Sequence, residues 1–138
     1  MNYKIREIIL IDDEFERFED YLDAIEFGFP NHIVKYFKSL RKAESYIWEN
    51  AMEIDIIIMD IMFHALEVNE YTGQDAGEKF YIKIKKSFPK LKIDVLSNKM
   101  RKEMPIFINQ IKNNKDIFCE KIATSPRELK EIIERQLS

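Results

Sequence analysis

The sequence predicts an α/β fold: a doubly wound sheet of five parallel strands, with five helices covering its two faces. Two observations support this prediction. Short apolar runs recur along the chain, and each is followed by a segment whose apolar residues have helical spacing. Runs such as residues 8–11 and 56–59 are too uniformly apolar for strands with one solvent-exposed face, so we expect them to be buried on both sides. Repeated strand–helix units form parallel sheets with right-handed crossovers.

The first two units have clear boundaries. Residues 8–11 form the first strand, acids follow it where the helix dipole favours them, and Gly28 followed by Pro30 ends the first helix. The second strand is His32–Phe37, and Ser39 can cap the second helix. The apolar side of the first helix consists of Phe15, Phe18, Leu22 and Ile25, and that of the second consists of Leu40, Ala43 and Ile47, with Trp48 at its margin.

The third strand is the centre of the predicted sheet. It covers residues 54–60 and stops at a carboxylate, Asp60. A long polar loop follows, with Gly73 as its expected turn residue, and residues 75–87 form a helix that Pro89 closes. The apolar side of this helix consists of Phe80, Tyr81 and Ile84.

The last two units complete the alternation. Lys92–Ser97 is the fourth strand, Pro105 lies in the first turn of the fourth helix, and two asparagines at 113–114 end that helix. Residues 117–119 form the fifth strand. Residues 125–128 form a capping box that begins the last helix. Its buried stripe consists of Leu129, Ile132, Ile133 and Leu137.

Composition indicates one domain, residues 1–138, which is long enough to bury a core. The single cysteine, Cys119, excludes an internal disulfide, and no Cys/His cluster has zinc-ligand spacing.

The net charge of −3 comes from mixed charges, so we expect no direct nucleic-acid binding. No signal peptide and no apolar run near ~20 residues is present, so we expect a soluble, cytoplasmic protein without membrane insertion.

Polar residues at the carboxyl ends of four strands form a chemical set, because these ends share one edge of a parallel sheet. Two carboxylates ~4 Å apart repel by about 4 kcal/mol at an effective dielectric of 20, so three carboxylates cannot all remain ionised without a compensating cation. Oxygen ligands with room for water suit Mg²⁺. Carboxylate, hydroxyl and ammonium groups beside that ion fit phosphoryl transfer onto a carboxylate. The set consists of Asp12, Asp13, Asp60, Ser97 and Lys121.

These residues resemble a known family, the response-regulator receiver domains of two-component signalling. Residues 8–14 resemble the family's first strand with its acidic pair, and residues 55–62 resemble the strand that bears the phosphoacceptor. The resemblance covers essentially the whole chain. It implies the flavodoxin-like receiver fold, and it implies that Asp60 is the phosphorylated residue.

The same resemblance assigns further roles. It implies that Asp13 binds Mg²⁺ directly, that Asp12 supports the metal and its waters, and that Asp60 and the backbone carbonyl of Met62 complete the protein ligands. By the same resemblance, Ser97 stands where the family has its switch hydroxyl, Phe118 where it has its switch aromatic, and Lys121 where it has its invariant lysine. A static core role for Phe118 fits the sequence equally well. Gly77 and residues 84–85 resemble the start and end of the family's third helix.

Three positions depart from the family pattern. Ile122 stands where a proline usually aims the lysine, so Lys121 is expected to point less reliably at the phosphoacceptor. Residues 63–65 replace the usual Met-Pro-Gly turn, and the loop to Gly77 is longer than the family norm, which suggests a role in partner recognition. Asn98 replaces a small residue beside the switch hydroxyl, so we expect restricted access and slow dephosphorylation.

The resemblance implies a phosphoacceptor switch that receives its phosphoryl group from a histidine kinase or phosphotransfer protein and is not an enzyme in the usual sense. The chain ends just after the last helix, so we expect its output in a separate protein, unless the sequence is a fragment. The face formed by the fourth helix, fifth strand and fifth helix is expected to change partner affinity, and a homodimer through that face is a further option.

Three other functions remain to be weighed. The departures motivate a receiver-like interaction adaptor that acts independently of phosphorylation. A haloacid-dehalogenase-type hydrolase also uses a strand-end aspartate, but it requires a second acid two residues later, where this chain has Met62. A nucleotide-binding flavodoxin-like protein is disfavoured because no glycine-rich phosphate loop follows the first strand.

Overall fold

The computed structural model describes residues 5–63 and 75–138, and at residues 15–18 it describes the backbone alone. Five strands form one parallel sheet in the order β2-β1-β3-β4-β5. The predicted parallel sheet is therefore confirmed. The strands are β1 (Arg6–Ile11), β2 (His32–Phe37), β3 (Ile54–Met59), β4 (Lys92–Ser97) and β5 (Phe118–Glu120).

Five helices alternate with the strands, as predicted. They are α1 (Phe15–Gly28), α2 (Leu40–Asn50), α3 (Ala76–Ser87), α4 (Pro105–Asn113) and α5 (Pro126–Leu137). Side-chain caps begin two of them: Ser39 Oγ accepts a hydrogen bond from the backbone N–H of Lys42 (3.2 Å), and Ser125 Oγ accepts one from Glu128 (3.1 Å). The two predicted N-cap serines are therefore confirmed.

The apolar residues of the strands pack into two cores, one on each face of the sheet. Alternate side chains of β1 and β3 enter opposite cores, so both strands are buried on two sides. The larger core lies under α2, α3 and α4, and the smaller one lies under α1 and α5. This doubly covered sheet directs the carboxyl ends of all five strands to one edge.

A few expectations need correction or fall outside the description. Trp48 is not part of the core: its side chain is 53% exposed and packs edge-on against Phe88. The turn expected at Gly73 and the side chains of Phe15 and Phe18 lie outside the described residues. Within residues 5–63 and 75–138, no helix has the length and apolar character needed to cross a membrane.

A buried polar network, which the sequence analysis did not identify, holds the end of α3 against the segment before β5. Lys85 Nζ lies 2.9 Å from Asp116 Oδ2, and the Tyr81 hydroxyl donates to the same carboxylate over 2.6 Å. The backbone N–H of Ile93 donates to Asp116 Oδ1 (3.2 Å). Tyr81 therefore contributes an apolar ring to the core and a hydroxyl to this network, at the end of the sheet opposite the strand-end acids.

Asp94 is a second buried carboxyl group, and it faces α5. Asp94 Oδ1 accepts hydrogen bonds from Gln136 Nε2 (2.9 Å) and from the backbone N–H of Ile117 (3.2 Å). Burial raises the pKa of Asp94 to about 6; the two hydrogen bonds lower it and the charge of Asp116 raises it. Ionisation of Asp94 therefore lowers the stability of the folded state.

The substitution Asp94→Asn should change how stability depends on pH. In the unfolded chain an aspartate titrates near 4, so the folded state binds more protons between about pH 4 and 6. The stabilisation from protonated Asp94 is complete below that window and is lost as the pH rises through the folded pKa. Asparagine keeps an accepting oxygen and does not ionise.

Urea unfolding tests this expectation. The stability of Asp94→Asn relative to the unsubstituted protein should improve by about 2 kcal/mol between pH ~4 and pH ~7.5. An equal stability difference at both pH values would contradict the account of Asp94.

Gly77 fixes the approach of α3 to the end of β3. A Cβ atom at this position would lie 2.3 Å from the carbonyl oxygen of Ile61 and 2.4 Å from its Cα. No side chain fits against backbone at that distance. Because Ile61 directly follows Asp60, this contact also fixes the first residues of the loop after β3.

Gly77→Ala should therefore lower the free energy of unfolding by about 1–3 kcal/mol, as overpacking does elsewhere. Gly28→Ala is the matched control, because the three atoms nearest to a Cβ there belong to the flexible side chain of Lys130 and not to backbone. We expect the control to stay within about 0.5 kcal/mol of the unsubstituted protein. Urea unfolding measures both variants, and equal stabilities would show that the Gly77 contact is not tight.

Candidate functional site

The pairing of β1 with β3 brings two acids side by side at the carboxyl edge of the sheet. Ile11 pairs with Met59, so Asp12 and Asp60 are the next residues of adjacent strands. The backbone continues the ladder, since the Asp60 N–H donates to the Ile11 carbonyl over 2.9 Å. Both acids are buried. Two carboxyl groups therefore share a site with little access to water.

Lys121 joins these two acids. Its Nζ atom lies 2.8 Å from Asp12 Oδ2 and 2.8 Å from Asp60 Oδ2, and only 9% of its side chain is exposed. One ammonium group thus donates hydrogen bonds to two carboxyl groups at once. Lys121 follows β5, so this contact ties β5 to β1 and β3 across the edge of the sheet.

The second oxygen of each acid is held by its own loop. Asp12 Oδ1 accepts a hydrogen bond from the backbone N–H of Glu14 (2.8 Å), and Asp60 Oδ1 accepts one from Met62 (2.9 Å). Each carboxyl plane is therefore fixed from two sides. Such fixed orientation is what a reacting carboxylate requires.

Electrostatics at the site favours one added proton or cation. The pKa of Asp12 is raised to about 6. Burial is the largest cause and the charge of Asp60 is the second, whereas the nearby charge of Lys121 acts to lower this pKa. Burial alone would lower the pKa of Lys121, but Asp60 and Asp12 raise it more, so the net shift is upward. Lys121 stays charged, and its single charge compensates only part of the acidic pair.

Ser97 lies at the same edge, at the end of β4. Its side chain is fully buried and its Oγ accepts a hydrogen bond from the backbone N–H of Lys99 (3.2 Å), which leaves the hydroxyl proton for another acceptor. Lys99 Nζ also reaches Glu78 Oε1 in the first turn of α3 (3.4 Å). The loop after β4 is therefore tied to the start of α3. Asn98 is exposed.

Phe118 is buried in the larger core at the start of β5. The guanidinium of Arg101 lies 5.6 Å from the centre of its ring, and Arg101 Nη2 donates to the Phe118 carbonyl over 2.7 Å. The described contacts are those of a packed core residue. A switching motion of Phe118 stays a prediction.

The departure at Ile122 does not keep Lys121 from the acids. Ile122 is 84% exposed, and residues Lys121–Ala123 form a short 3-10 turn. Even so, the Lys121 ammonium contacts both Asp12 and Asp60. Lys121 is therefore directed at Asp60 in this structure, contrary to the expectation from Ile122. Residues 64–65 of the altered turn lie outside the described residues.

The oxygen atoms at this edge of the sheet suit Mg²⁺ in their chemistry. Within residues 5–63 and 75–138, no three acidic, histidine or cysteine side chains lie close enough together to hold a metal ion by themselves. Mg²⁺ needs only one or two carboxylates beside waters and phosphate oxygens. The predicted ligands, Asp13, Asp60 and the Met62 carbonyl, are all oxygens, so the residues fit this ion in chemistry.

Tyr36 also contributes to the site, although the sequence analysis treated it only as a strand residue. Its hydroxyl donates to the backbone carbonyl of Asp12 over 2.6 Å. Burial and the nearby acids raise the pKa of Tyr36, so it remains a neutral donor. Leu10 pairs with Tyr36 in the sheet, and the contact depends on this register, which the sequence pattern alone does not give.

No protein-family model matches the sequence, and no curated protein matches it. Solved structures do match. A response regulator receiver domain protein from Clostridium thermocellum has a TM-score of 0.74 at 20% identity, covering 96% of this chain and 94% of that one. This chain has the receiver fold.

Two further structures with the receiver fold support the same conclusion. A CheY-like receiver domain protein from Methanospirillum hungatei JF-1 has a TM-score of 0.72 at 19% identity, over 96% of this chain and 94% of that one. The isolated REC domain of RcsB from Salmonella enterica serovar Typhimurium, solved in the presence of the phosphomimetic BeF3−, has a TM-score of 0.67 at 16% identity, over 94% and 86%. The fold implied by the sequence resemblance is therefore confirmed.

The contacts at the site predict that Asp60→Asn lowers the pKa of Asp12. The charge of Asp60 is the second cause of the raised value, and it disappears in the variant, whereas burial remains. The pKa of Asp12 should therefore fall from about 6 but stay above that of an exposed aspartate.

Carboxyl ¹³C NMR titration of the metal-free protein measures this change. Asp94 is the internal control, because burial and Asp116 raise its pKa and Asp60 does not. An unchanged Asp12 pKa would contradict the close approach of the two acids.

Proposed function

We propose that this chain is a phosphoacceptor switch of a two-component system or phosphorelay, with Asp60 as the phosphorylated residue. The observation that carries the proposal is the pair of 2.8 Å contacts from Lys121 Nζ to Asp12 and Asp60. An ammonium held at the reacting carboxylate is positioned for the negative charge that a phosphoryl group brings. The receiver fold supports the same function.

The reaction requires one oxygen of the Asp60 carboxylate to attack phosphorus. With phosphohistidine as the donor, an O–P bond forms while the P–N bond breaks, and the imidazole leaves with the electrons of that bond and takes up a proton. The hydrogen bond from the Met62 N–H holds the carboxyl plane during the attack. Lys121 and the Ser97 hydroxyl then bind phosphoryl oxygens, which is the change that partners detect.

Mg²⁺ belongs to the same proposal. Asp13, Asp60 and the Met62 carbonyl would hold it, with Asp12 supporting its waters, and the bound ion would neutralise charge on the phosphoryl oxygens. The raised pKa of Asp12 supports a role for added positive charge here, because the acids exceed the single ammonium.

The proposed partners follow from this chemistry. A histidine kinase or phosphotransfer protein supplies the phosphoryl group, and a separate output protein reads the face of α4, β5 and α5. A homodimer through that face is the further option. In this proposal the chain works in the cytoplasm as one receiver unit and catalyses only its own phosphorylation and dephosphorylation.

The competing function is that of an interaction adaptor that acts independently of phosphorylation. It was motivated by Ile122, Asn98 and the altered loop after β3, yet Lys121 contacts Asp60 despite the first of these departures. The contact favours the switch. The adaptor predicts partner binding that Asp60→Asn leaves unchanged, and the hydrolase predicts turnover of small phosphate esters.

The direct test is incubation with Mg²⁺ and acetyl phosphate, followed by intact-protein mass spectrometry. We expect the mass of one phosphoryl group on the unsubstituted protein and none on Asp60→Asn. Asp55→Asn is the matched control: this acid lies in the same strand, where it pairs with Arg6 and His32 instead of Lys121. It should still be phosphorylated. Lack of phosphorylation in the folded, unsubstituted protein would overturn the proposal.

A further inference from the structure

The turn that carries Lys121 is short, and the backbone hydrogen bond that closes it is weak. Residues Lys121–Ala123 form a single 3-10 turn, and its closing hydrogen bond, from the Thr124 N–H to the Lys121 carbonyl, is long at 3.4 Å. The middle residue, Ile122, points into solvent and does not anchor the turn in the core. Yet the long side chain of Lys121 meets two acids at 2.8 Å.

Tyr21 of α1 holds both ends of this turn. Its hydroxyl donates to the Thr124 carbonyl over 2.6 Å and lies 3.3 Å from the Lys121 carbonyl. A hydroxyl has one proton, so the short bond to Thr124 dominates and the contact with Lys121 is the weaker branch. Burial raises the pKa of Tyr21, which keeps that proton in place.

The ring of Tyr21 is itself fixed. It is buried in the smaller core, in the same cluster as Ile25, Leu10 and Leu129. The hydroxyl therefore has a defined position relative to β1, from which Asp12 follows. A rigid donor that spans the Lys121 and Thr124 carbonyls fixes the backbone from which the lysine side chain starts.

We propose that Tyr21 is a positioning residue: its hydroxyl fixes the turn after β5 so that the Lys121 ammonium is aimed at Asp60 and Asp12. The inference rests on the proposed phosphorylation of Asp60 and adds the element that makes the lysine effective. Without the hydroxyl, the turn loses the donor that joins the Lys121 and Thr124 carbonyls, and the flexible side chain of Lys121 samples other positions.

Tyr21→Phe is the test, because it keeps the buried ring and removes the hydroxyl. With Mg²⁺ and acetyl phosphate, the rate of Asp60 phosphorylation should fall about five- to tenfold, the size expected for one lost hydrogen bond. Tyr81→Phe is the matched control: it removes another 2.6 Å hydroxyl bond from a buried ring, to Asp116, away from Lys121. It should lower stability similarly and leave the phosphorylation rate unchanged.

A second measurement requires neither a phosphoryl donor nor Mg²⁺. The buried Lys121 ammonium should give a ¹H–¹⁵N signal, identified by its absence from Lys121→Gln. Exchange of its protons with water should accelerate in Tyr21→Phe and not in Tyr81→Phe. A purely structural role for Tyr21 predicts that both variants behave alike.

The outcomes separate the two proposals. Faster ammonium exchange and slower phosphorylation only in Tyr21→Phe support the inference. An unchanged ammonium signal in folded Tyr21→Phe overturns it, and so do equal effects in the two variants. If the unsubstituted protein is not phosphorylated, the proposed function fails, whereas the ammonium signal still decides whether Tyr21 positions Lys121.

Discussion

The contact of one ammonium with two buried carboxyl groups is the interaction on which the site depends. The register of β1 and β3 places Asp12 and Asp60 side by side, and burial denies them the solvent that would screen their repulsion. Lys121, in the turn after β5, compensates part of that negative charge. Burial first, and the remaining excess of acid second, raise the pKa of Asp12, and that excess of negative charge suits a bound cation.

The surrounding fold fixes each member of this contact. The loop N–H groups of Glu14 and Met62 orient the two carboxyl groups, and Gly77 lets α3 approach the backbone beside Asp60. Tyr21 connects α1 to the turn after β5. Strands thus set the spacing of the charges, and helices set their direction.

The sequence was informative where local pattern decides structure. Uniform apolar runs located the buried strands, and acids at their ends located Asp12 and Asp60, because the carboxyl ends of parallel strands share one edge. Tertiary contacts were not predictable in this way. The hydroxyls of Tyr21 and Tyr36 and the burial of Asp94 depend on which elements pack together, which a single-residue pattern does not encode.

A structure determined with Mg²⁺ and beryllium fluoride present tests the central claim, that Asp60 beside Lys121 is the phosphoacceptor, most directly. The account predicts beryllium bonded to a carboxylate oxygen of Asp60, with the Lys121 ammonium contacting a fluorine and the metal beside Asp13. An unmodified Asp60 with Lys121 in its present contacts, at saturating concentrations of both reagents, would contradict it, and an adduct on another carboxylate would do so as well.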